Sequence, residues 1–174
     1  MMSVDVQPLS LAHIPALMAL EKRAFAPSVC EDQAIYEQRI ALFEAGNLGF
    51  FHDQRLIGFF CSELWGYQQS YEKDRFALSH SPGLFHCSLG TELYISSFAV
   101  DANQRTVLRG KKAFSLAMEY IQKRVAIQSA VLVVSEKWEA AKALYRWWGF
   151  TEIGSLEKGL GDDTALIMRC ESLS

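Results

Sequence analysis

The sequence predicts a mixed α/β (α+β) fold, a central sheet with helices on its faces. Three observations carry that prediction. Apolar residues recur at helical spacing in two early stretches, and an aromatic-rich pair of strand-like runs follows. The second half then alternates strand, helix, strand, helix before two last strands. With 174 residues, 50% hydrophobic and 21% charged, the chain reads as one domain, 1–174, able to bury a core without staples.

A short apolar alternation around Val4 and Val6 opens the chain. Ser10 makes an N-cap for a helix running to about Phe25, with Ile14, Leu17 and Met18 on one stripe, and Pro27 stops it. A second helix fits Glu31 to Ala45, where Gly46 occupies the place of a left-handed cap. Leu48 to Phe51 and Leu56 to Trp65 read as a hairpin turning at His52-Asp53-Gln54-Arg55. Residues 66 to 90 show no period and read as a long surface excursion. Beyond it, Glu92 to Val100 is a strand, Gly110 to Lys123 a helix and Ala130 to Val134 a wholly apolar strand. Glu136 to Trp148 is a helix closed by Gly149, and Phe150 to Leu156 and Thr164 to Met168 are the final strands.

Composition removes several classes. A net charge of −3 and a pI of about 5.8 argue against a general nucleic-acid binder. No apolar run approaches the roughly 18–20 residues that span a bilayer. Met1-Met2-Ser3-Val4-Asp5 lacks the basic region and apolar stretch of a secretory signal. Cys30, Cys61, Cys87 and Cys170 form no C-x-x-C pair, which suits reduced thiols in a cytoplasm and neither a disulfide framework nor a metal site.

The most informative segment runs from Val100 to Lys112. A strand ends there and a helix begins, with Arg105, Arg109, Lys111 and Lys112 crowding the helix mouth. Unpaired N–H groups already make that mouth positive, so four cations are unfavourable unless an anion such as phosphate joins them. A solvated basic turn is the plain alternative. Arg105-Thr106-Val107-Leu108-Arg109-Gly110 resembles the [QR]-x-x-G-x-[GA] turn with which the GNAT superfamily of N-acetyltransferases binds the pyrophosphate of acetyl-CoA. It matches at the first and last positions and carries Leu108 in place of the middle glycine.

Further on, Ala141-Lys142-Ala143-Leu144-Tyr145-Arg146-Trp147-Trp148-Gly149-Phe150 resembles the family's A-x-x-L-Y-x-x-x-G-F helix. The family's frequent Asn three residues before Ala141 is Trp138 here. Short matches in the first half, Glu21-Lys22-Arg23-Ala24-Phe25 and Arg55 to Trp65 among them, are similar to the arylalkylamine (serotonin) N-acetyltransferase branch. That branch carries a histidine pair where this chain has Tyr94 and Ser96.

The resemblance implies a GNAT-type sheet whose central strand splays from the next to admit acetyl-CoA. It implies that backbone groups of Phe98, Ala99 and Val100 hold the pantetheine arm, and that N–H groups from Arg105, Thr106, Val107, Leu108, Arg109, Gly110 and Lys111 hold the pyrophosphate. Ser135 and Ala141 are expected beside the same ligand, and Tyr145 reaches the sulfur and protonates the departing thiolate. Period-two alternation puts Glu92, Tyr94, Ser96 and Phe98 on one face unless a bulge intervenes. Glu92 then serves as base through a water, or faces solvent at the strand start, while Tyr94 and Ser96 line a water chain. The expected reaction is direct acetyl transfer to a small primary amine, with no metal, no nucleic acid and no membrane as partner. Transfer to a peptide N-terminus and a non-catalytic CoA-binding module stay open, as does a homodimer.

Overall fold

The computed structural model describes residues 3–173. Met1, Met2 and Ser174 lie outside the described residues, and with them the first residues of the segment read for a secretory signal. The elements run β1 (Asp5–Pro8), α1 (Ile14–Ala24), α2 (Gln33–Leu42), β2 (Leu48–His52), β3 (Arg55–Trp65), the single-turn α3 (Pro82–Phe85), β4 (Glu92–Val100), α4 (Gly110–Gln122), β5 (Ser129–Ser135), α5 (Glu139–Trp148), β6 (Thr151–Leu160) and β7 (Asp163–Cys170). All seven strands join one sheet in the order β1-β2-β3-β4-β5-β7-β6. Every neighbouring pair is antiparallel except β4 and β5. That one parallel step needs a crossover, and α4 supplies it. No helix among the described residues is long and apolar enough to cross a membrane.

The two faces are covered differently. Phe114, Ala117, Met118 and Ile121 of α4 pack with Phe60, Ile95 and Leu132 on one face. Leu17 and Leu20 of α1 and Tyr36 of α2 pack with Phe59, Cys61 and Ala99 on the other. A third cluster gathers Trp65, Tyr71, Phe76, Tyr94 and Leu160 where residues 66–90 fold back against β6 and β7. That excursion is therefore pinned rather than splayed over the surface. Arg75 lies 4.4 Å from the Trp65 ring and 4.7 Å from Tyr71. The Cys87 N–H bonds Leu64 O, and His80 meets the Glu63 carboxylate at 2.8 Å, away from solvent. Burial alone would raise Glu63, yet the His80 bond and the Arg39 charge outweigh it and lower its pKa to about 2.

Local chemistry corrects one of the two glycine expectations. Gly46 does not adopt a left-handed cap: it sits in a single 3₁₀ turn, where a Cβ would lie 2.0 Å from the Phe43 ring and 2.5 Å from Ser62 Oγ. Close packing, not positive φ, requires glycine there. Gly149 does close α5 at φ 124°, its N–H shared between the Tyr145 and Arg146 carbonyls.

The feature that positions everything below is on β4. Its register with β3 shifts between Cys61 and Ser62, so Ser96 becomes the extra residue of a bulge and turns its hydroxyl to Cys61 O at 3.0 Å. The alternation is broken. Ile95 and Phe98 both join the α4 side, whereas Tyr94, Ser97 and Ala99 point toward the opposite layer. Glu92, Tyr94, Ser96 and Phe98 thus do not share a face. Parallel pairing of β4 with β5 also ends at Ile95 and Leu132. Beyond that point Ser97 to Val100 pair only with β3, and Val133 to Ser135 only with β7. A wedge opens between the two central strands.

Candidate active site

Two cavities meet in that wedge. The larger is a groove of about 780 Å³ floored by Phe98, Ala99 and Val100, with Arg105, Thr106, Arg109, Gly110 and Lys111 at one end and Ala141 and Tyr145 along α5. The smaller is a pocket of about 100 Å³ walled by Phe25, Val29, Tyr94, Ser97, Trp138 and Leu160, with Glu31 at its edge. Phe98, Ala141 and Tyr145 line both. On the far side a third groove of about 770 Å³, between residues 73–78 and residues 155–161, shares Phe76 and Leu78 with the pocket.

The groove fits an anionic nucleotide. No side chain caps α4, so the first-turn N–H groups of Gly110, Lys111 and Lys112 have no partner within the helix. Lys111 is held over the Trp147 ring at 4.9 Å. Gly110 has open space where a Cβ would stand, with nothing within 4 Å, so the backbone is bare toward the groove. Gly110→Ala should leave the unliganded melting temperature within about 2 °C of the parent. It should weaken binding of a CoA nucleotide at least about tenfold by filling the place of a phosphate, read by calorimetric titration.

Three of the expected groove residues are elsewhere. The Val107 and Leu108 N–H groups both bond Gln104 O at 2.9 Å and are spent on the turn. The Leu108 side chain is buried in the core beneath α4. Ser135 is wholly buried, its hydroxyl 3.3 Å from Asp163 and accepting the Lys137 N–H, so it caps the β5 end instead of facing the ligand.

The fold as a whole has close counterparts in solved structures. The sequence matches no family model and no curated protein. The loading GNATL domain of CurA from Lyngbya majuscula superposes with TM-score 0.81 at 10% identity, over 97% of this chain and 98% of that one. The ribosomal-protein-S18-alanine N-acetyltransferase from Escherichia coli superposes with TM-score 0.67 at 18% identity, over 99% and 96%. The chain has the GNAT fold. A third such structure, the GphF GNAT-like decarboxylase in complex with isobutyryl-CoA, superposes with TM-score 0.76 at 15% identity, over 96% and 98%.

Within this GNAT fold the pocket chemistry departs from the expected one. Glu92 does not face solvent: it is fully buried and both its oxygens are engaged. Arg169 bonds both its oxygens at 2.7 and 2.9 Å, Tyr71 donates at 2.6 Å and Ser129 at 2.8 Å. It lies outside the pocket lining. Tyr94 does line the pocket, stacked 4.1 Å from Trp65, and burial holds its phenol far above the usual range, so it is neutral. Tyr145 is equally buried and neutral, and among the described residues its hydroxyl has no protein partner.

Sequence reasoning missed two carboxylates. Glu31 carries a side chain only 9% exposed, 3.7 Å from Arg39, and burial outweighs that cation and raises its pKa to about 7. Glu21 is buried on α1 and accepts the Tyr36 hydroxyl and the Glu31 N–H at 3.0 Å. A signal existed for Glu21: it falls four residues after Leu17, on the apolar stripe of its helix.

Proposed function

We propose that this protein transfers an acyl group, acetyl being the simplest, from acyl-CoA directly to a small primary amine. One observation carries the reading. The phosphate-fitted groove and the narrow pocket meet at Tyr145, and the pocket lining holds one carboxylate and no cation. An ammonium is stabilised beside Glu31, and its apolar substituent rests against Phe25, Val29 and Trp138. Attack on the thioester carbonyl then leaves a thiolate beside Tyr145, whose neutral phenol is the nearest donor. The resemblance of Glu21 to Phe25 and Arg55 to Trp65 to the arylalkylamine branch supports an arylalkyl acceptor. A diacyl thioester, which a decarboxylase would need, would set its free carboxylate against Glu31 with no cation to receive it. The groove between residues 73–78 and 155–161 favours one second reading, a peptide N-terminus whose chain runs out along it.

The test is an acceptor panel of arylalkylamines, alkylamines and short peptides with acetyl-CoA, run beside Glu31→Gln. Acetylated small amines are expected, and activity on peptides alone would sink the small-amine reading. Glu31→Gln should raise acceptor KM about tenfold or more with kcat changed less, because charge pairing is lost. In the parent, acceptor KM should fall as pH rises through about 7 and Glu31 ionises. The sign for stability is opposite. Glu31 binds its proton more tightly folded than unfolded, so its contribution to stability weakens as pH rises from its usual 4.5 through 7. Glu31→Gln should therefore melt no lower than the parent at pH 8.

A further inference from the structure

Pairing an ammonium with Glu31 makes that amine harder to deprotonate, so the proton needs a second way out. The pocket wall contains one. Ser97, on the face that the β4 bulge turns toward α2, stands 3.1 Å from the Tyr36 hydroxyl. Tyr36 is itself wholly buried, and its hydroxyl bonds Glu21 Oε2. Glu21 is 1% exposed, and its other oxygen, Oε1, has no hydrogen-bond partner among the described residues. An α1 carboxylate, an α2 phenol and a β4 hydroxyl thus form one line from the pocket into the core.

We infer that Ser97, Tyr36 and Glu21 form a proton exit from the acceptor pocket, with Glu21 the terminal acceptor. This rests on the amine-acyltransfer reading above. The N–H bond of the acceptor breaks as an O–H bond forms at Ser97. The Ser97 proton passes to the Tyr36 oxygen, and the Tyr36 proton passes to Glu21 Oε2. One proton moves from nitrogen to carboxylate, no electron is gained or lost, and the line runs backward to solvent once product leaves.

A purely architectural reading explains less. A buried carboxylate costs several kcal/mol unless it is paired, and among the described residues Glu21 has no cation in bonding contact. The charged and titratable groups around it are Arg39 and Glu31 on the α2 side, Cys30 before α2 and Cys61 on β3. Arg39 is committed to Glu63 at 2.8 Å and helps Glu21 only weakly. Burial accordingly raises the Glu21 pKa, which is what a proton acceptor near neutral pH requires.

Ser97 touches the pocket, while Tyr36 and Glu21 act through it and are positioning residues. Tyr36→Phe keeps the ring and cuts the line. With the best amine from the panel it should lower kcat about 100-fold at unchanged acceptor KM. The acidic limb of the kcat profile, set by Glu21 in the parent, should move toward the acceptor's own pKa. Glu21→Gln should do the same, and the double variant should fall no further than either single one. A parent that acetylates amines, with Tyr36→Phe retaining both its kcat and its acidic limb, overturns the relay and spares the function. A fall in kcat with an unmoved limb also overturns it, since a packing defect would do the same. A parent inactive on every amine overturns both. Should Tyr36→Phe melt early, Ser97→Ala, which removes only the outermost hydroxyl, is expected to move the limb equally.

Discussion

Arg169→Met should lower stability by about 3–5 kcal/mol, the usual result of leaving a buried carboxylate without its cation. In a chain of this length that is a fall in melting temperature of roughly 10 °C, read by scanning calorimetry. Arg169 also donates to Gln68 O at 2.8 Å and Gln69 O at 2.9 Å and lies 4.7 Å from the Tyr67 ring. It therefore joins β7, the start of β4 and the beginning of the 66–90 excursion. Loss should reach the acceptor pocket as well, because Phe76 and Leu78 of that excursion form part of its wall. The companion change Glu92→Gln in the same protein should recover more than half of the lost stability, since the stranded charge disappears with it. A double variant as unstable as Arg169→Met would show that the carboxylate is not the cause.

Tyr145→Phe carries the largest expected effect on turnover. Among the described residues its hydroxyl has no partner, and Phe114 and Phe150 pack on its ring at centroid distances of 5.7 and 5.9 Å. Removing one oxygen should leave melting temperature and CoA affinity close to those of the parent. If the phenol protonates the departing thiolate, kcat should fall at least about 100-fold. Because burial raises the Tyr145 pKa, that donor stays protonated across the neutral range, and no limb of the pH profile below pH 9 should belong to it. An acyl donor with a more acidic thiol should be less affected by the substitution, since it needs the proton less. An unchanged kcat with every acceptor would remove the acid role from Tyr145.

The strands and long helices were legible in the sequence because period and caps are local. Gly149, the Ala141–Tyr145 face and the Arg105–Lys111 mouth all speak through neighbours a few residues away. What was not legible depended on long-range contact. The Ser96 bulge arises only when β4 is laid against β3, and it reverses the facing of every residue after it. Glu92 looked free at a strand start because its partners, Tyr71, Ser129 and Arg169, come from three distant segments. Glu31 looked like an ordinary helix-start acid, and only the arrival of Phe76 and Leu160 from distant segments completes the pocket that it lines. The 66–90 excursion lacks a period because aromatic stacking on Trp65, not a backbone ladder, holds it.

Leu108 has a consequence for where disorder is lost. A phosphate-binding turn rich in glycine keeps its freedom until ligand arrives, and freezing it then costs about 1–2 kcal/mol per residue at 25 °C. Here the turn is anchored beforehand by a leucine in the core, with Val107 and Leu108 both tied to Gln104. The entropy is surrendered during folding, so the anion meets a mould already set. On the proposed acyl-CoA reading, association would draw on preorganisation in place of a second glycine, and destabilising the core under α4 should loosen nucleotide binding without any change in the groove itself.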